Sequence, residues 1–227
     1  MAKVICVMGE SGSGKTTSMR NLDPATTYYI DCDKKGLSWK GWRNQYSSGK
    51  NYISTDYPQI VLKLMAWLDG KELDKDNNLV ESKNKKGLQF KTLVVDTLNG
   101  IMVAEEMRNI NKATYDKWRD LASYVYQVVD MGLRMRNDLI IIFTAHSESV
   151  SDDDGYKFSR IKTNGKKLNK IVLESKFTTV LFAKCENGKY LFETHANNST
   201  AKTPFGAFEE NEIDNDITAV IRALEEF

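Results

Sequence analysis

The clearest chemistry in this chain lies in Gly9-Glu10-Ser11-Gly12-Ser13-Gly14-Lys15-Thr16, which fits G-x-x-x-x-G-K-[ST] at every fixed position. Glycines leave the backbone free to fold tightly round an anion with its N–H groups turned inward. Lys15 supplies a cation for β- and γ-phosphates, and Thr16 a hydroxyl for Mg²⁺. A helix opening near Gly14 and running through Thr17 would turn its positive end toward the anion. The octet follows an apolar run, Lys3 to Met8, and precedes a helix-compatible stretch, which is where such a loop belongs. It points to a nucleoside triphosphate bound with Mg²⁺.

Carboxylates and one imidazole offer the remaining chemistry. Asp96 follows Leu93-Val94-Val95 and suits the second Mg²⁺ carboxylate, often acting through water. Asp31 and Asp33 close the strand-like Thr26–Ile30, and either carboxylate could accept a proton from a water beside the metal. His146 follows Leu139 to Ala145 and offers a hydrogen bond to a γ-phosphate. The bland readings are a strand-terminal cap for Asp96, solvated strand ends for Asp31 and Asp33, and a structural histidine.

These groups have to be carried by strands. The runs at 3–8, 26–30, 92–97 and 139–145 alternate with helical patterns at 58–68, 101–110 and 115–136. Such alternation predicts right-handed βαβ units and a mainly parallel α/β sheet, whose ligands bind beyond the carboxyl ends of its strands. Lys34 to Asn51, with Trp39 and Trp42, reads as a loop pinned by aromatic rings. Lys71 to Lys91 reads as a polar surface insertion with no chemistry assigned. Phe177–Lys184 and Lys189–Thr194 flank Asn187-Gly188 and predict an antiparallel hairpin; a helix striped by Ile217, Val220, Ile221 and Leu224 ends the chain.

A length of 227 residues suits one large domain, 1–227. With no run of eighteen apolar residues and no signal peptide, a cytoplasmic protein without a membrane span is expected. Cys6, Cys32 and Cys185 have no C-x-x-C spacing, which argues against zinc and disulfides. The net charge is +1, but seven basic residues from Lys157 to Lys176 face Glu174 alone, and seven acids from Glu209 to Phe227 face Arg222 alone. The basic stretch invites phosphate contacts with nucleic acid. Its bland reading is a solvated charged loop, since Asp152-Asp153-Asp154 sits nearby.

Tyr29-Ile30-Asp31-Cys32-Asp33, Leu93-Val94-Val95-Asp96-Thr97 and Ile142-Phe143-Thr144-Ala145-His146, in this order behind the phosphate loop, resemble the core of RecA-like P-loop ATPases. Gly165-Lys166-Lys167-Leu168, Phe177 to Leu181, the Gly188-Lys189-Tyr190 turn, Thr200 to Pro204 and Asn215-Asp216-Ile217 are similar to small phage ATP-binding proteins, among them single-strand annealing ATPases of the Sak type. The resemblance implies strand order 5-1-4-3-2 and a catalytic acid at Asp33, where the RecA group usually has Glu. It also implies a γ-phosphate sensor at His146, where that group often has Gln. A DNA-binding loop over 147–170 would use Lys157, Arg160, Lys162, Lys166 and Lys167. A homo-oligomer, ring or filament, would use Lys202 across the subunit boundary. The function implied is a Mg²⁺-dependent ATPase acting on single-stranded DNA in recombination or replication. A nucleotide kinase and an ATP-switched assembly or packaging component stay open beside it, although a kinase lid is poorly served by the only two arginines after Arg136, Arg160 and Arg222.

Overall fold

The computed structural model describes residues 2–111, 116–152, 154–163 and 172–227, with backbone alone over 116–122. Strand β1 (Lys3–Gly9) leads into the phosphate loop and a 3₁₀ helix, Thr17–Asn21; β2 (Thr27–Asp31), the one-turn α1 (Trp42–Gln45), β3 (Tyr52–Ser54) and α2 (Pro58–Leu68) follow. A small hairpin, β4 (Lys71–Leu73) and β5 (Leu79–Glu81), precedes β6 (Thr92–Asp96), α3 (Leu98–Arg108) and α4 (Asp116–Arg134). The chain continues through β7 (Ile140–Ser151), β8 (Lys157–Ile161), β9 (Thr179–Glu186), β10 (Lys189–Glu193), β11 (Glu212–Asp214) and α5 (Ile217–Ala223).

The strands lie in the order β11-β10-β9-β1-β7-β6-β2-β3, with β8 paired to β7 outside that path. Every pairing from β9 to β3 is parallel; β10 and β11 continue the sheet antiparallel. A central parallel strand must bury both faces, and Val4 to Met8 are all buried. Alternate side chains serve two cores. Val4, Cys6 and Met8 join Ile30, Val95 and Phe143 beneath α2, α3 and α4, whereas Ile5 and Val7 join Tyr29, Val94, Met19 and Val220 on the opposite face. Asn187 and Gly188, both at positive φ, make the tight turn between β9 and β10.

Four features depart from expectation. The helix after the phosphate loop begins at Thr17 rather than near Gly14 and is a five-residue 3₁₀ turn, so it contributes little dipole. The three-residue β3 has no counterpart among the expected elements; Trp42 and Tyr46 of the preceding loop pack on Tyr52 and Tyr29, which holds it to the sheet edge. The 71–91 insertion is tied to the body through buried Gly87 and Phe90, and a Cβ on Gly87 would lie 2.2 Å from Trp67 O. Finally, β7 does not stop at His146. It runs on to Ser151 and folds back as β8, so a β-hairpin stands where a loop was expected. The polar alternation Ser147-Glu148-Ser149-Val150-Ser151 hides that strand, because neither of its faces enters the main core.

Candidate nucleotide site

The phosphate loop joins β1 to the Thr17–Asn21 turn at the carboxyl edge of the sheet. Gly14 adopts φ 92°, and a Cβ there would lie 2.8 Å from the Tyr190 ring, so this position requires glycine for both conformation and space. Lys15 folds back over the loop, donating to Gly9 O at 2.8 Å and Glu10 O at 2.6 Å. Burial pushes its pKa down to about 8, with the nearby Asp96 carboxylate pulling the other way.

That depression has a measurable consequence. A bound triphosphate favours the ammonium, so Mg²⁺·ATP affinity should hold below pH 8 and fall toward tenfold per pH unit above it, as the free protein loses the proton. The unfolded chain, with an ordinary lysine, binds the same proton more tightly, so this group makes the fold more stable as pH rises from about 8 to about 10.4. Calorimetric titration across pH 7 to 9.5 checks the first effect; affinity independent of pH over that window would contradict it.

Asp96 ends β6 with its side chain 2% exposed. Thr16 Oγ1 donates to its Oδ2 at 2.8 Å, Tyr29 OH to the same oxygen at 2.6 Å, and Thr144 Oγ1 to Oδ1. The backbone N–H of Cys32 donates to Asp96 O at 2.6 Å. Thr16 and Asp96 thus set hard oxygen donors side by side at the foot of the phosphate cradle, a donor set suited to Mg²⁺ completed by phosphate oxygens and water.

The two acids after β2 have different surroundings. Asp31 is 2% exposed; its Oδ2 accepts from Gly36 N at 2.8 Å and Tyr52 OH at 2.7 Å, so it holds the turn and β3. Asp33 lines an open cleft, with Oδ1 accepting from Thr97 Oγ1 at 2.8 Å and Oδ2 paired to Lys35 Nζ at 2.6 Å. α3 comes very close here, since a Cβ on Gly100 would lie 2.5 Å from Cys32 O. His146 lines both this cleft and the phosphate-loop cleft, and Asn99 Oδ1 accepts from its backbone N–H at 2.7 Å. Burial, then the Lys15 charge, pushes the imidazole pKa down, which favours a neutral ring at pH 7.

Lys15, Thr16, Asp33 and His146 therefore line adjoining clefts, together with Ser11, Gly12, Gly14 and Thr17 of the loop, while buried Asp96 stands behind Thr16 and is bonded to it. Lys202 is not among them. Its backbone pairs with Val180, whereas Gly9 pairs with Ala183, which sets Lys202 about 10 Å back toward the amino ends of the strands. Lys157 and Arg160 lie on β8, with Arg160 bonded to Glu148 at 3.0 Å; Lys162 follows β8, its backbone N–H donating to His146 O at 2.7 Å. Lys166 and Lys167 lie outside the described residues. Sequence reading missed Tyr29 and Thr144, which hold Asp96, as well as Lys35 and Ser38 in the cleft wall. It also passed over Tyr156, exposed on the hairpin with its ring stacked 6.4 Å from Phe158. For Tyr29 and Thr144 the signal is aromatic or hydroxyl character inside a motif strand; for Lys35, Ser38 and Tyr156 the sequence offers none.

A buried lysine in a glycine cradle, with a threonine and a strand-end carboxylate joined beneath it on an α/β sheet, defines a nucleotide-binding protein of the P-loop ATPase type. Residues 1–205 match the model of the AAA domain, and the chain belongs to that family. No curated protein matches the sequence. Among the described residues, no helix is long and apolar enough to cross a membrane.

Proposed function

We propose that the chain is a RecA-like, Mg²⁺-dependent ATPase acting on single-stranded DNA, as in phage recombination by annealing or in replication. In this reading Lys15 leaves the carbonyl oxygens of Gly9 and Glu10 to bind the β- and γ-phosphates. Thr16 and Asp96 hold the metal, which when bound neutralises charge on the phosphate oxygens. Asp33 takes a proton from the attacking water, and neutral His146 donates a hydrogen bond to the γ-phosphate.

The observation that carries the DNA part is the continuity of β7, which passes His146 and becomes one arm of a hairpin bearing Lys157, Arg160 and Lys162 with exposed Tyr156 stacked beside half-buried Phe158. Cations beside stackable rings are what a single strand needs, phosphate contacts from one and base stacking from the other. A second copy of the chain would supply Lys202 to the γ-phosphate, in a ring or filament. Transfer to a small acceptor is a second reading, favoured by the open cleft of about 470 Å³ that Asp33, Asn99 and His146 line beside the phosphate loop.

ATP turnover measured alone, with single-stranded DNA and with nucleoside acceptors separates the readings: stimulation by DNA is expected, and phosphoryl transfer to an acceptor without it would favour the second. Replacing Lys157 and Lys162 by alanine should weaken DNA binding and flatten its salt dependence by about one to two units of slope. An unchanged slope would leave the hairpin without phosphate contacts.

A further inference from the structure

One wall of the phosphate-loop cleft takes no part in the chemistry above. Tyr190, the second residue of β10, lines the same cleft as His146 and Lys35 and offers it the face of a phenol ring. The ring is 47% exposed, so it packs on the loop at one side and is open at the other. A Cβ placed on Gly14 would lie 2.8 Å from Tyr190 Cδ1 and 3.2 Å from Asn215 Nδ2. Asn215 is 4% exposed, and its Nδ2 is buried without a hydrogen-bond partner. Such a donor is costly to leave unpaired, so its persistence beside a ligand cradle needs an explanation.

The surrounding backbone holds both groups in place. Asn215 N donates to Tyr190 O at 3.3 Å, and Arg20 Nη1 donates to Asn215 O at 2.9 Å and to Thr17 O at 3.1 Å. The wall is therefore bolted to the turn that follows the phosphate loop. A triphosphate whose γ end points to His146 presents its nucleoside end to this side.

We infer that this wall is the base subsite: the heterocyclic base of the nucleotide stacks on Tyr190, and an acceptor on its edge takes the unpaired Asn215 Nδ2–H. The ligand class is a nucleotide with a purine base, whose two fused rings cover a tyrosine face and whose ring nitrogens are acceptors. This rests on the triphosphate reading of the loop and extends it to the other end of the ligand.

The experiment is calorimetric binding of ATP and of inorganic tripolyphosphate, each with Mg²⁺, to the parent chain, Tyr190→Ala, Tyr190→Phe and Asn215→Leu. Tyr190→Ala should weaken ATP about ten- to a hundredfold and leave tripolyphosphate unchanged, since only the first ligand has a base to stack. Tyr190→Phe should restore ATP affinity, and Asn215→Leu should weaken ATP alone by about tenfold. Equal loss of both ligands in Tyr190→Ala would mean that the ring merely props the loop and would overturn the subsite, as would undiminished ATP binding. A parent chain that binds neither ligand overturns the triphosphate reading itself, a failure distinct from that of the subsite.

Discussion

Lys15→Met should give a protein that folds as well as the parent yet loses at least about a hundredfold in Mg²⁺·ATP affinity, together with its turnover. Both halves come from the same environment. Lys15 is 6% exposed, and desolvation holds its pKa down near 8, so the charge is carried at a cost to the fold. Methionine keeps the aliphatic stem, gives up the bonds to Gly9 O and Glu10 O, and relieves the buried ammonium; these effects offset to within about 1 kcal/mol. For the ligand there is no such compensation, since the ammonium is the group that meets the phosphates. Thermal melting and ATP calorimetry on the same preparation test the pair. If Lys202 acts across a subunit boundary, mixing Lys15→Met with Lys202→Ala should recover activity that neither shows alone. Parental turnover in Lys15→Met would remove the lysine from the chemistry.

Asp96→Asn should fail in the opposite pattern, losing both stability and metal dependence. Three hydroxyls, from Thr16, Tyr29 and Thr144, donate to the carboxylate in a site that is 2% exposed. An amide keeps one acceptor oxygen and aims two donors at hydroxyls already arranged to donate, a mismatch worth about 1–3 kcal/mol and a melting temperature lower by roughly 3–10 °C. The variant also loses the charge that opposes the depression of Lys15, so the lysine should deprotonate below pH 8. In binding, the parent should gain affinity for ATP when Mg²⁺ is added and the variant should not. An equal gain in both would show that Asp96 braces the loop without holding the metal.

The phosphate loop and the apolar strands behind it could be read because their requirements are local: glycines where the backbone must turn, β-branched runs where a strand is buried on both faces. What could not be read depends on the third dimension. Asp31 and Asp33 stand two residues apart with the same charge, and only Tyr52 and Gly36 on one side, Thr97 and Lys35 on the other, distinguish the turn-holder from the acid in the cleft. The hairpin of β7 and β8 is a strand pair without a core-facing stripe, so hydrophobic periodicity has nothing to detect. Tyr29, an unremarkable aromatic in a strand, bonds an acid 67 positions away.

The place of β1 also sets an order of events at the ribosome. Residues 3–9 are made long before their neighbours, residues 140–146 on one side and 179–183 on the other. β2, β3 and β6 can find one another before β7 and β9 have been made, whereas β1 waits for residues 140–146 and 179–183 before it has either partner. Closing so long a chain segment before any contact rewards it makes this the slow pairing of the sheet. The anion cradle, hung between β1 and the turn that follows it, therefore acquires its shape only after β9 has been made, and nucleotide meets it no earlier.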